Sequence, residues 1–142
     1  MRLLFLMFFM FTSNIYAGHH STNKDEQIIF LLDLEVIEGK QNQVDDLIDR
    51  LVENVKKTEP DTIIYEYYAS SEDRIFLYEV YKNHVAAEFH VDQFMQGSLM
   101  PIFVDTFSVV TFEVLGSTSD VLKEKMKDFT RDHRPKTDGF KR

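Results

Sequence analysis

Residues 58–90, TEPDTIIYEYYASSEDRIFLYEVYKNHVAAEFH, concentrate the side chains best suited to acid–base chemistry. Tyr65, Tyr67, Tyr68, Tyr78 and Tyr81 all fall here, and the only other tyrosine is Tyr16. Glu79 lies among them, and His90 follows in what reads as the second turn of the next helix. Imidazole ordinarily titrates close to neutrality, so His90 is the foremost candidate to move a proton. A neutral imidazole there can take the proton of a phenolic hydroxyl. Tyr67, Tyr81 and Glu79 are candidates to orient the ring or to bind the oxygens of such a substrate. Tyr81 and Glu79 share strand parity, so both can face the helices. The competing reading is structural. Aromatic residues on a sheet commonly fill cores, and a buried Glu79 needs a partner such as Lys82, Arg74 or an arginine of a second subunit.

The elements that position these residues follow from hydrophobic periodicity. Residues 27–37 read as a strand whose one face, Ile28, Phe30, Leu32, Leu34 and Val36, is wholly apolar. After a Glu38-Gly39-Lys40 turn, Val44, Leu47, Ile48, Leu51, Val52 and Val55 recur at helical spacing, and Pro60 ends that helix. Strands are expected at 62–69 and 74–81, joined by Ser70-Ser71-Glu72-Asp73. Alternation groups Ile63 with Tyr65 and Tyr67. Asn83 is a good N-cap for a helix with Val85, Ala86, Phe89 and His90 on one side. Short helical pieces should follow as far as residue 104. A fourth strand spans 106–115, with Phe107, Val109, Thr111 and Glu113 opposed to Phe112 and Val114. Ser119 or Asp120 can cap a last helix carrying Val121, Leu122, Met126 and Phe129. Met95 and Met100, like Met126, are read as core residues. Beyond Arg131 the charged and small residues look disordered, and His133 reads as solvated.

The order β-α-β-β-α-β is the ferredoxin-like pattern. The expected class is therefore α+β: a four-stranded antiparallel sheet with helices on one face and an extra C-terminal helix. Every strand is apolar on both faces, so the second face should be buried against another subunit.

The chain of 142 residues contains no cysteine, which excludes disulfides and thiol chemistry. Arg2, an apolar run at 3–11 and a short polar exit to Ala17 have the pattern of a secretory signal peptide cleaved after Ala17. The run is too short for a bilayer core, which needs roughly 20 apolar residues. The organisation expected is thus a leader (1–17), a flexible segment (18–26), a folded domain (27–116), and a C-terminal helix with a disordered basic tail (117–142). The protein is expected to be exported, periplasmic or secreted, with no stable membrane anchor after cleavage. A terminus beginning Gly18-His19-His20 would offer Cu(II) or Ni(II) a square-planar nitrogen set, a short pattern that also arises by accident. Residues 18–122 hold seven basic and twenty acidic side chains, and residues 123–142 hold eight basic and four acidic. The acidic body argues against nucleic acid, which needs a basic face.

Several motifs taken together resemble the antibiotic biosynthesis monooxygenase domain family, over about residues 27–115. They are the Gly39-Lys40 turn, Lys57-Thr58-Glu59-Pro60, Tyr65-Glu66-Tyr67-Tyr68, Leu77-Tyr78-Glu79-Val80-Tyr81 and Ala86-Ala87-Glu88-Phe89-His90. The resemblance implies a dimeric α+β barrel in which two sheets pack face to face, with a substrate pocket between sheet and helices in each subunit. It implies oxygenation of quinol-like or polycyclic aromatic molecules without metal or flavin, the substrate's own anion reducing dioxygen. A haem-degrading branch of the family uses an asparagine, a tryptophan and a histidine ligand where this chain has Leu32, His90 and a position near Met100, so the chain departs from that branch. A third branch isomerises a phosphorylated cytosolic molecule, which an exported acidic protein would neither meet nor hold. The expectation is an exported homodimer acting on a small quinol-like or phenolic substrate with dioxygen and no cofactor or metal. Its catalytic candidates are His90, Tyr81, Glu79 and Tyr67. The alternative is a non-catalytic small-ligand-binding or stress-related interaction protein of the same fold. A pocket of roughly a few hundred Å³, lined by His90 and a tyrosine, favours the enzyme.

Overall fold

The computed structural model describes residues 27–141. The leader, its cleavage after Ala17, the segment 18–26 and the Gly18-His19-His20 terminus lie outside the described residues. Strand β1 (Ile28–Val36) alternates as its sequence requires, and Ile28, Phe30, Leu32, Leu34 and Val36 are all buried. After a single 3-10 turn, helix α1 (Val44–Thr58) buries Val44, Leu47, Leu51 and Val55 along one stripe. The hairpin β2 (Thr62–Ser71) and β3 (Arg74–Tyr81) follows, then α2 (His84–Gln96), α3 (Met100–Thr106), β4 (Phe107–Leu115), α4 (Asp120–Met126) and β5 (Asp132–Arg134). The strand order is β2-β3-β1-β4-β5, with β1 central and antiparallel to both β3 and β4. Helices and the inward sheet face enclose one core, in which Phe30 meets Tyr81 and Phe112 edge-on at 4.9 and 5.3 Å.

The sheet has five strands rather than four, and it is mixed. Asp132–Arg134 pairs parallel with Glu113, Val114 and Leu115, where the composition had suggested a disordered tail. The cause is local. Buried Leu122 and Met126 dock α4 against the core, which returns the chain to the unpaired edge of β4. Three residues are too few to show a strand period.

Two bulges re-aim side chains. Thr62 pairs with Tyr81 and Ile64 with Val80, so Ile63 is the extra residue and is half exposed. Thr62, Tyr65 and Tyr67 therefore share the inward face with Tyr81, Glu79 and Leu77. In β4 the register shifts after Thr111, so that Val109, Phe112 and Val114 all pair with inward residues of β1 and Val110 is left over. In the helices, Val85, Phe89, Met95 and Val121 are exposed, and the buried face of α2 is Ala86, Ala87, His90 and Val91. The outer sheet face keeps Tyr68, Phe76 and Val110 exposed. Among the described residues no helix is long and apolar enough to cross a membrane.

Gly116, at the end of β4, has φ +115, and an added Cβ would lie 2.5 Å from the Gln27 carbonyl oxygen. Both the backbone angle and the backbone contact forbid a side chain there. Gly116→Ala should lower stability by about 1–3 kcal/mol, read as a lower urea midpoint at unchanged slope; an unmoved midpoint contradicts this account.

Candidate functional site

Pro60 excludes helical geometry from the residue before it. Glu59 accordingly leaves α1 with φ −124 and ψ 76, although its N–H still donates to the Val55 carbonyl at 2.9 Å. This break turns the Glu59 side chain into the interior. From the opposite direction α2 starts at Asn83, whose side chain accepts the Ala86 N–H at 3.0 Å. Two small residues, Ala86 and Ala87, let α2 lie close to the sheet and bring His90 over β3. There Glu79 and Tyr81, two residues apart, face the helices as their parity required.

These elements bring together a buried carboxylate–imidazole–carboxylate array. Glu59, His90 and Glu79 are 4%, 6% and 3% exposed. The Nδ1–H of His90 donates to Glu59 Oε2 at 2.9 Å, with Oε1 at 3.1 Å. Thr62 Oγ1–H donates to the same Oε2 at 2.8 Å. On the other side of the ring, Nε2 lies 3.8 Å from Glu79 Oε1, while Tyr81 O–H donates to Glu79 Oε2 at 2.8 Å. Tyr65 and Tyr67 share a hydrogen bond of 3.0 Å, and the Tyr65 ring sits 5.8 Å from that of His90. Phe94 stacks on the imidazole from within α2.

Burial pushes the imidazole of His90 toward its neutral form. The charge of Glu79 and the hydrogen bond and charge of Glu59 outweigh that, and the net displacement is upward from 6.5. Burial likewise raises Glu79 above the ordinary 4.5, against the opposing pull of His90 and Tyr81. His90 is thereby held toward the imidazolium, and Glu79 is a stronger base than an exposed carboxylate. Burial raises Tyr65, Tyr67 and Tyr81 as well, and the charge of Glu79 adds to each, so all three stay protonated as donors.

Two hollows meet at this array. The inner one, a chamber of about 90 Å³, lies between sheet and helices; its polar lining is Tyr65, Glu79 and His90, and the rest is apolar, with Phe30, Phe94, Phe103, Phe112 and Phe129. Met95, Val104 and Val109 stand exposed at its mouth. The outer one, a groove of about 680 Å³ beside the C-terminal half of α1, has Arg50, Glu53, Lys56 and Lys57 on its walls and Glu59, Tyr65 and His90 among its lining. His90 separates the two, with Nδ1 on the Glu59 side and Nε2 on the Glu79 side. Among the described residues no group of three or more acidic, cysteine or histidine side chains is placed to hold a metal ion.

At the level of sequence the chain matches no protein-family model and no curated protein. Solved structures do match. MupZ from Pseudomonas fluorescens superposes with a TM-score of 0.73 at 18% identity, over 82% of this chain and 95% of that one. SnoaB, a cofactor-independent oxygenase from Streptomyces nogalater, gives 0.54 at 10% identity, over 66% and 95%. A candidate antibiotic biosynthesis monooxygenase from Caulobacter crescentus gives 0.53 at 18% identity, over 67% and 92%. The chain has the antibiotic biosynthesis monooxygenase-like fold.

Within that fold the four residues singled out from the sequence divide. Glu79 and His90 reach the chamber. Tyr81 supports Glu79 from behind, with its hydroxyl on the carboxylate. Tyr67 does not line the chamber; its hydroxyl meets that of Tyr65, which does. Glu79 finds its cation in His90, since Arg74 makes a two-pronged pair with Asp33 and Lys82 binds Asp61. Glu59 was quoted in sequence only as part of a helix end. The signal that could have revealed it is an acid directly before the proline that stops an amphipathic helix, where the chain must turn inward.

Both shifts within the array are upward, so their linkage has one sign. Stability drawn from protonated His90 is fully present below its ordinary 6.5 and is lost as pH rises through the raised value. Glu79, raised from 4.5, acts in the same direction at lower pH. Melting temperature should therefore decline between about pH 6 and pH 9, with a shallower decline in Glu79→Gln; a flat or rising wild-type profile contradicts the charge assignment.

Proposed function

We propose that this protein is a cofactor-independent monooxygenase acting on a small quinol-like or phenolic molecule, and that its chemistry takes place in the inner chamber. The observation behind this reading is the lining: an aromatic, apolar hollow in which the polar side chains are a basic carboxylate, its imidazolium partner and one tyrosine. The roles differ from those expected of a neutral imidazole. The Glu79 carboxylate takes the proton of a phenolic O–H, His90 stabilises the resulting anion, and Tyr65 donates a hydrogen bond to a substrate oxygen. The anion supplies the electrons that dioxygen needs. A carbon–oxygen bond forms, the O–O bond breaks, and the ring gives up four electrons in all, two to the oxygen atom it gains and two to the oxygen atom that leaves as water. Hydroquinone and dioxygen balance as hydroxybenzoquinone and one water.

Size narrows the substrate. An apolar cavity of about 150 Å³ takes benzene, so the chamber of about 90 Å³ must widen to admit even a single ring. The chamber is smaller than the few hundred Å³ taken as the mark of an enzyme and the groove exceeds it, yet the chamber holds the reacting groups. The resemblance of the fold to dimeric barrels, together with exposed Tyr68, Phe76 and Val110 on the outer sheet face, supports a homodimer closed across that face. Sedimentation equilibrium should return twice the chain mass. The leader supports an exported location.

Oxygen uptake with a panel of single-ring hydroquinones tests the reaction. Wild type should consume one dioxygen per quinol, and Glu79→Gln, which keeps the side-chain shape, should lower kcat by about 100-fold or more. His90→Ala is less informative, since it leaves two buried carboxylates without their cation. Spectral shifts of the quinol with no oxygen uptake above autoxidation would mean that the chamber binds rings without oxidising them.

A further inference from the structure

Glu59 touches neither the inner chamber nor anything placed in it, and the chemistry proposed above does not use it. Yet it is one of four polar or charged residues that are buried among those described, and it occupies the only nitrogen of His90 that Glu79 does not face. Its own orientation is over-determined. The proline-enforced break of α1 sets its backbone, Thr62 donates to Oε2 at 2.8 Å, and the Thr62 N–H closes the turn on the Glu59 carbonyl at 3.1 Å. A carboxylate held this firmly against Nδ1–H leaves the ring one orientation. That is the logic by which an acid behind a histidine serves a reaction in front of it.

We infer that Glu59 is the positioning residue of this site: by holding Nδ1–H it aims Nε2 of His90 at Glu79 and the chamber and keeps the ring's cation at the chamber wall. The inference rests on the reading of the chamber as the reacting site. The groups facing His90 are few. Glu59 comes from the end of α1, Tyr65 from β2, Glu79 and Tyr81 from β3, and apolar Phe94 from α2 itself. Arg50, Glu53, Lys56 and Lys57 stand on the walls of the groove that Glu59 lines. Without Glu59, burial would act on the ring with only Glu79 opposing it. The ring would pass to the neutral form at lower pH and lose its fixed direction.

Two measurements separate this inference from the proposed reaction. The first needs no substrate: imidazole nitrogen and carbon shifts of His90 are followed by NMR against pH. Glu59→Gln should lower the titration midpoint of His90 by about one unit or more, and Thr62→Val, which removes only the supporting hydroxyl, should lower it by less. An unchanged midpoint in Glu59→Gln overturns the inference. Should Glu59→Gln fail to fold, an unshifted midpoint in Thr62→Val overturns it instead. The second measurement is hydroquinone turnover against pH. Activity needs Glu79 ionised and His90 charged, so the alkaline limb should move to lower pH in Glu59→Gln while KM holds. A merely structural role would lower activity at every pH and leave the limb in place. Absence of turnover in the wild type would remove the oxygenase reading and leave the NMR result to decide the role of Glu59.

Discussion

The buried imidazolium of His90 between Glu59 and Glu79 is the constraint on which the rest of this structure depends. It ties the end of α1, the middle of α2 and the end of β3 to one point. Removal of His90 would leave two carboxylates uncompensated in the core, and breaking a buried pair in this way typically costs about 3–5 kcal/mol. Such an array is a poor way to stabilise a small protein, since well-packed apolar side chains of equal volume do as well or better. Its presence amid a core of Phe30, Leu77, Val91 and Phe103 is therefore a reason to look for chemistry.

The surroundings give the array its character. On one side the apolar, aromatic surroundings of the chamber bury Glu79 and make it a stronger base. On the other a groove with charged walls reaches Glu59. The polar groups of the chamber end are each satisfied by a neighbour: Tyr81 on Glu79, Tyr67 on Tyr65, Thr62 on Glu59. The site is thus held in place before any substrate arrives, and the tyrosines act as donors that burial prevents from ionising.

Much of the fold was legible in the sequence. The alternation of β1, the single stripe of α1, the Asn83 and Ser119 caps and the α+β order all follow from local rules. What was not legible has physical causes. Ile63 and Val110 sit at bulges, and a bulge shifts strand parity by one residue without leaving a local signature in side-chain type. β5 is only three residues long, and its pairing depends on where α4 docks. At the site, His90 and Glu79 were readable because they stand out by type and parity. Glu59 was not, because an acid at a helix end is ordinarily a solvent-facing residue. The exchange of Tyr67 for Tyr65 arose because both lie on the same face, and parity alone does not show which one lines the chamber.

The short parallel strand β5 also makes the two borders of the sheet unequal. On one border β4 is occupied by β5 over Glu113, Val114 and Leu115, and the bulge at Val110 interrupts the run before it. Arg134 approaches Glu113 at 3.8 Å, so part of the basic C-terminus is neutralised by the acidic body. The other border, β2, has ten residues, and among the described residues no strand lies beyond it. A foreign strand seeking backbone partners would meet a protected margin at β4 and an open one at β2. Misassembly of this chain, when it occurs, should therefore begin along β2, and loss of the C-terminal segment would open a second starting point.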